Sequence, residues 1–162
     1  RKNIVRILDA YRHYRNRVSE PLPLIFAGAK RDVSSAVDRP STDGVRTLGY
    51  VSDAQRNWLY KHAAAFVFPS LYEGFGLPII EAMSVGTPVL TSACGAMAEV
   101  AGDAAALVDP YDIHSVADGI ERLATDQSLK EELETAGRLR SQQFNWHSTA
   151  AKTVEVFRLV AN

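Results

Sequence analysis

FPSLYEGFGLPIIEAMSVGTPVL, running from Phe68 to Leu90, is the stretch on which the reading of this chain turns. An acid, a Gly-Phe-Gly turn, a proline-led helix and a second acid follow one another in close order. Strand-like apolar runs bracket them, Ala65–Phe68 before and Pro88–Thr91 after. Pro78 suits the first turn of a helix, where its missing N–H would lack an intrahelical partner anyway. Gly74 and Gly76 let the backbone adopt φ > 0 and approach a ligand closely. The expected local structure is a strand, a glycine loop and a helix N-terminus whose free N–H groups suit an anion or a hydroxyl. Glu81 is expected about three residues into the helix, roughly 4.5 Å along its axis. Glu73 then sits at the mouth and Glu81 one turn deeper, suited to hydroxyls on two parts of one ligand.

The pattern continues in both directions. Periodicity predicts a helix over 3–17, a strand over 22–27, a weak helix near 31–38 and a strand over 45–49. A helix over 53–63, a strand over 65–68, a helix over 78–85 and a strand over 88–91 follow. A short turn near 96–100 leads to a strand over 104–108 and helices over 113–125, 128–141 and 147–161. Ser52 and Gln55 form a capping box for the Asp53 helix, and Asp112 is an N-cap. Strands alternating with helices predict an α/β fold with a parallel sheet covered on both faces. Ligands on such sheets bind at the C-terminal strand edge. That edge gathers the loop after Phe68, Gly28 after one strand, and Tyr50 and Val51 after another. Arg39–Gly44 reads as a turn-rich surface loop without function.

A chain of 162 residues fits one domain with a sizeable core. Its 18 basic and 19 acidic residues nearly cancel, so nothing points to nucleic acid or an anionic membrane. One cysteine, Cys94, excludes an internal disulfide and disfavours a zinc–thiolate cluster. No apolar run is long enough to cross a bilayer, and a reducing, cytoplasmic setting is compatible with the composition. The four histidines are scattered without ligand spacing, and no Asp-x-Asp occurs. No metal is expected. Trp58 and Trp146 read as core or interface residues.

Glu, seven residues, then Glu, arranged around GFGLP, resembles the donor-site motif of the retaining glycosyltransferases of family 4. RKN at 1–3, LGYVSD at 48–53, TSACGAMAEVAGDAAALVDP at 91–110 and FNWHSTA at 144–150 extend the resemblance in the same order. It implies one half of a GT-B architecture, two Rossmann-like domains with the active site between them. Residues 1–162 would be the C-terminal, nucleotide-sugar-binding domain, with the N-terminal acceptor domain outside this chain and the piece inactive alone. The final helix, as in the family, would cross to that other domain. The wording of residues 94–110 looks most like bacterial mannosyltransferases of O-antigen assembly, which suggests GDP-mannose, with UDP-hexoses as the other donors. The acceptor would be a glycan or lipid-linked hydroxyl, and the enzyme cytoplasmic or peripheral at the inner membrane.

The same resemblance implies roles. Lys2 would offset charge on the departing diphosphate, and Glu73 would orient the transferred sugar beside its reacting carbon. Glu81 would bond the ribose hydroxyls. Gly74, Phe75, Gly76 and Leu77 would offer backbone N–H groups, and Tyr50 and Val51 would lie against the base. No cofactor is implied beyond the nucleotide sugar itself. Arg1 reads as a solvent or hinge residue. Gly95 and Glu99 match the family's G-x-x-x-E pattern, Ser92 lies in the same strand-end loop, and Cys94 reads as inert. Two other readings share the fold: half of a GT-B sugar-nucleotide epimerase, and a non-catalytic sugar-nucleotide-binding module. A glycosidase carboxylate pair fits the glycine turn poorly.

Overall fold

The computed structural model describes residues 1–28 and 43–161. Helix α1 (Ile4–Arg17) is followed by strands β1 (Leu24–Ala27) and β2 (Val45–Gly49). Helix α2 (Asp53–His62), β3 (Phe66–Phe68), α3 (Leu77–Ser84) and β4 (Val89–Ser92) come next. Helix α4 (Gly95–Ala101), a single 3₁₀ turn and β5 (Ala106–Val108) lead to three helices: α5 (Ile113–Thr125), α6 (Gln127–Ser141) and α7 (Trp146–Val160). The expected weak helix near 31–38 and most of the Arg39–Gly44 loop lie outside the described residues.

Every strand pairing among the described residues is parallel, as the alternation of strands and helices requires. These strands fall into two sheets, β1–β2 and β3–β4–β5, rather than one continuous sheet. A shared core joins them. Leu24 and Val45 of the first sheet and Val67, Leu90 and Val108 of the second all pack on the cluster beneath α1 and α5. Tyr11 and Tyr14 of α1 tie the entry of β1 to that core. The Tyr11 hydroxyl donates to Leu22 O at 2.9 Å, and Leu22 N donates to the Tyr14 hydroxyl at 2.9 Å.

All four residues of β4 are buried, as expected of a central strand covered on both faces. Its period of two sends Leu90 to the α1–α5 side and Val89 to a second cluster formed with α2, α3 and α4. Gly119 shows how tight the first side is. A Cβ there would lie 2.5 Å from Leu90 Cδ1 and 2.8 Å from Val108 Cγ1. Helix propensity favours Gly119→Ala by about 1 kcal/mol, but overpacking among immobile core groups costs about 1–3 kcal/mol. The substitution is expected to lower the urea midpoint. A raised midpoint would show that Leu90 and Val108 can move aside.

Two caps agree with the sequence reading. Ser52 and Gln55 form a reciprocal capping box on α2, and Asp112 accepts from His114 N at the start of α5. One element differs. Residues 95–101 form a helix, not a turn, with Met97, Val100 and Ala101 buried on one face. Its last carbonyls are satisfied from a distance: Arg140 of α6 donates to Val100 O at 2.9 Å and Glu99 O at 2.6 Å. Nothing local announces such a cap. Helix α7 has no buried residue and exposes Trp146, Phe157 and Leu159. No described helix is long and apolar enough to cross a membrane.

Candidate functional site

Chain geometry brings the first residues against the loop after β3. Leu71 N donates to Arg1 O at 2.9 Å, and Asn3 Nδ2 donates to Pro69 O at 3.0 Å. Lys2 lies between these two hydrogen bonds, exposed beside the loop that carries Glu73. Asn3 also donates to Pro110 O at 2.7 Å, so one buried amide joins the loops after β3 and β5 to the start of α1. It does so with φ 60°, the left-handed region that asparagine tolerates better than most residues.

Glu73 is held at both oxygens. Its Oε1 accepts from the Ser70 hydroxyl at 3.2 Å, and Arg1 Nε stands 3.9 Å from Oε2. The carboxylate's side chain is 16% exposed, whereas Arg1 is 65% exposed, so the ion pair itself is weak. Arg1, a solvent or hinge residue on sequence grounds, therefore faces the acid. Nothing in the sequence singles out Ser70. It is buried, and its own carbonyl accepts from Ser92 Oγ at 2.6 Å, which fixes it to the end of β4.

The two glycines of the turn differ. Gly76 has φ 105°, where an L side chain is strained, and a Cβ there would also crowd Ile79 at 3.2 Å. Gly74 is not in the positive-φ region, and a Cβ added to it would meet nothing within 4 Å, so its smallness leaves open space at the loop surface. Phe75 packs edge-to-face on Phe144 at 5.9 Å, and the Arg140 guanidinium lies over Phe144 at 5.1 Å. The loop is thus braced by the α6–α7 junction. Leu77 opens α3 half exposed, with Pro78 in its first turn.

Glu81 is the fifth residue of α3, beyond the reach of the dipole at the helix start. Its carboxylate is placed by α2 instead. The Tyr60 hydroxyl donates to Oε2 at 3.2 Å, and Arg56 Nε lies 3.4 Å from the same oxygen. Burial, with Glu81 beside it, pushes the Tyr60 phenol well above its usual range and keeps it a donor. Sequence reasoning misses both Tyr60 and Arg56. Their i, i+4 spacing on α2 is visible in the chain, but their target is not.

The remaining candidate residues lie at the ends of β1 and β2. Gly28 N donates to Gly49 O at 2.8 Å, joining the ends of β1 and β2. Tyr50 and Val51 line a cavity of about 330 Å³ with Leu48, Gln55, Trp58 and Leu59. Tyr50 is 89% exposed and Trp58 59%, so neither ring serves as core cover. Trp58 stacks on His62 at 4.2 Å. Arg56, next to the cavity residue Gln55 on α2, reaches Glu81. Cys94 is an exposed free thiol, and Glu99 contributes its carbonyl to the Arg140 cap. His13 and His114 face each other at 4.9 Å across α1 and α5, and no group of three metal-ligating side chains occurs among the described residues.

The family model described as "Glycosyl transferases group 1" matches residues 1–140. This chain belongs to that family. A group 1 glycosyl transferase relative, the O-antigen chain mannosyltransferase B of Escherichia coli, is 38% identical over 99% of this chain and 43% of its own length. The MMP alpha-(1->4)-mannosyltransferase of Mycolicibacterium hassiacum is 39% identical over 72% of this chain and 29% of its own length. Among solved structures, sucrose-phosphate synthase from Thermosynechococcus elongatus superposes with a TM-score of 0.81 at 28% identity, covering 98% of this chain and 42% of that one. WaaG, a glycosyltransferase involved in lipopolysaccharide biosynthesis, gives 0.77 at 21% identity over 96% and 43%, a likeness of fold alone. The expected α/β fold of the GT-B glycosyltransferases is therefore present. The group 1 chain described here spans less than half the length of each of these relatives.

Proposed function

We propose that this chain is the donor-binding domain of a retaining hexosyltransferase of family 4. The enzyme would transfer mannose from GDP-mannose to a hydroxyl of a glycan or lipid-linked acceptor. The observation that carries the reading is the pair of carboxylates on one strand–loop–helix unit, each fixed by a hydroxyl donor: Ser70 of the same loop for Glu73, Tyr60 of α2 for Glu81. A held carboxylate is a selective acceptor for sugar hydroxyls, because a ligand without them leaves it unpaired. That relatives identical at more than a third of the aligned positions are named mannosyltransferases supports the choice of sugar.

In this reading the base lies against Tyr50 and Val51, near the apolar cavity, and Gly28 leaves room for the nucleotide to cross between strand ends. Glu81 accepts from the ribose hydroxyls. The N–H groups of Gly74, Phe75, Gly76 and Leu77 meet the hexose and the diphosphate at the start of α3. Lys2 offsets negative charge growing on the leaving diphosphate, a preorganised electrostatic contribution. Glu73 orients the hexose and faces the positive charge that develops at its anomeric carbon. The leaving phosphate takes the acceptor proton, so no separate base is required.

Ligand-observed NMR with GDP, GDP-mannose, UDP and UDP-glucose tests this directly. A preference for the guanine nucleotides is expected. Glu81→Ala should weaken binding of bare GDP about ten- to a hundredfold, the effect of losing charge-assisted hydrogen bonds worth about 1.5–3 kcal/mol. Binding that ignores Glu81→Ala would overturn the ribose assignment, and a uridine preference would overturn the donor.

A further inference from the structure

A glutamate on a helix surface samples many rotamers, and a ligand that needs one of them must freeze it on binding. Glu81 is spared that search. Its Oε2 is engaged from two sides, by the Tyr60 hydroxyl at 3.2 Å and by Arg56 Nε at 3.4 Å. Both contacts fall on the one oxygen. The two neighbours are not equivalent. Arg56 also pairs with Asp53 at 3.0 Å, and its Nε is buried and misaligned for a true hydrogen bond to the carboxylate. Tyr60 is rigid. Its ring is 8% exposed and stands edge-on to Phe66 at 5.1 Å, and its carbonyl accepts from Thr87 Oγ1 at 2.7 Å.

We propose that Tyr60 is a positioning residue for nucleotide binding, its hydroxyl fixing Glu81 at Oε2 so that Oε1 meets the ribose diol already oriented. The proposal rests on the reading of Glu81 as the ribose-binding acid. A phenol suits the task. It donates one directed hydrogen bond without neutralising the carboxylate, and it reaches α3 from a helix whose start adjoins Tyr50 and Val51. The distance between the base wall and the ribose acid is then set by one ring packed in the core.

Tyr60→Phe removes the hydroxyl and keeps the ring, so the core stays filled. Dissociation constants for GDP and UDP, each beside its 2′,3′-dideoxy counterpart, are compared by calorimetry in parent and variant. The tighter-binding ribonucleotide should lose about three- to tenfold in affinity in the variant, the effect of one lost hydrogen bond. Its dideoxy counterpart should bind parent and variant equally, and the thermal midpoint should hardly move. A variant that weakens both forms alike has a merely structural tyrosine, and the proposal fails. It also fails if Tyr60→Phe changes neither constant while Glu81→Ala still weakens the ribonucleotide, an outcome that leaves the ribose assignment standing. A parent that does not distinguish ribose from dideoxyribose overturns the assignment of Glu81 and this proposal together.

Discussion

Glu73→Ala is expected to lower hexose transfer in the proposed reaction by about 10²- to 10³-fold, the scale of removing one preorganised electrostatic group from an active site. The carboxylate is mostly buried and aimed by the Ser70 hydroxyl, so little reorganisation is needed when charge develops beside it. Bare GDP should bind the variant within about threefold of the parent, because Glu73 is assigned to the sugar and not to the nucleotide. Glu73→Gln separates two contributions. It keeps an acceptor for sugar hydroxyls and removes the charge, so a loss as deep as that of alanine assigns the effect to charge at the anomeric carbon. Steady-state kcat and a GDP titration on the same preparations decide it. Turnover within about tenfold of the parent, or a parallel loss of GDP affinity, would defeat the role given to Glu73.

Asn3→Ala should destabilise the fold by about 3 kcal/mol and lower Tm on the order of 10 °C. Two buried carbonyls, those of Pro69 and Pro110, lose their donor together, and each costs about 1–3 kcal/mol when left unsatisfied. Alanine at φ 60° adds about 1 kcal/mol of backbone strain. Asn3→Gly relieves the strain without restoring either bond, so it should recover only about 1 kcal/mol. Thermal unfolding of the three proteins tests this. A glycine variant as stable as the parent would show that the hydrogen bonds contribute nothing. Because Asn3 also seats Lys2 beside the β3 loop, both variants should lose turnover in the proposed reaction beyond what their unfolded fraction explains.

Much of this is legible in the chain because the signals are local. Gly-Phe-Gly followed by Pro78 marks a loop and a helix start whatever surrounds them, and Ser52–Gln55 and Asp112 cap helices within their own turn. The apolar run Val89–Leu90 announces a buried strand, and its period of two assigns the residues to opposite faces. What escapes depends on partners far away in sequence. Residues 95–101 are helical in part because Arg140, some forty residues on, caps them. Trp58 reads as a core or interface residue on hydrophobicity alone, and its exposure on the cavity wall, stacked on His62, removes the core alternative.

The site divides the same way. That two acids, a glycine turn and a helix start follow one strand can be read directly along the chain, since these are neighbours on the backbone. How firmly each acid is held depends on packing between distant segments. Ser70 is fixed from β4 through Ser92, and Tyr60 and Arg56 reach Glu81 from a different helix. Asn3 joins loops that lie 66 and 107 residues away from it. Spacing can place a carboxylate on a helix, but a hydrogen bond forms only within about 3 Å, and contacts between distant segments at that range are set by how the sheet and its helices pack.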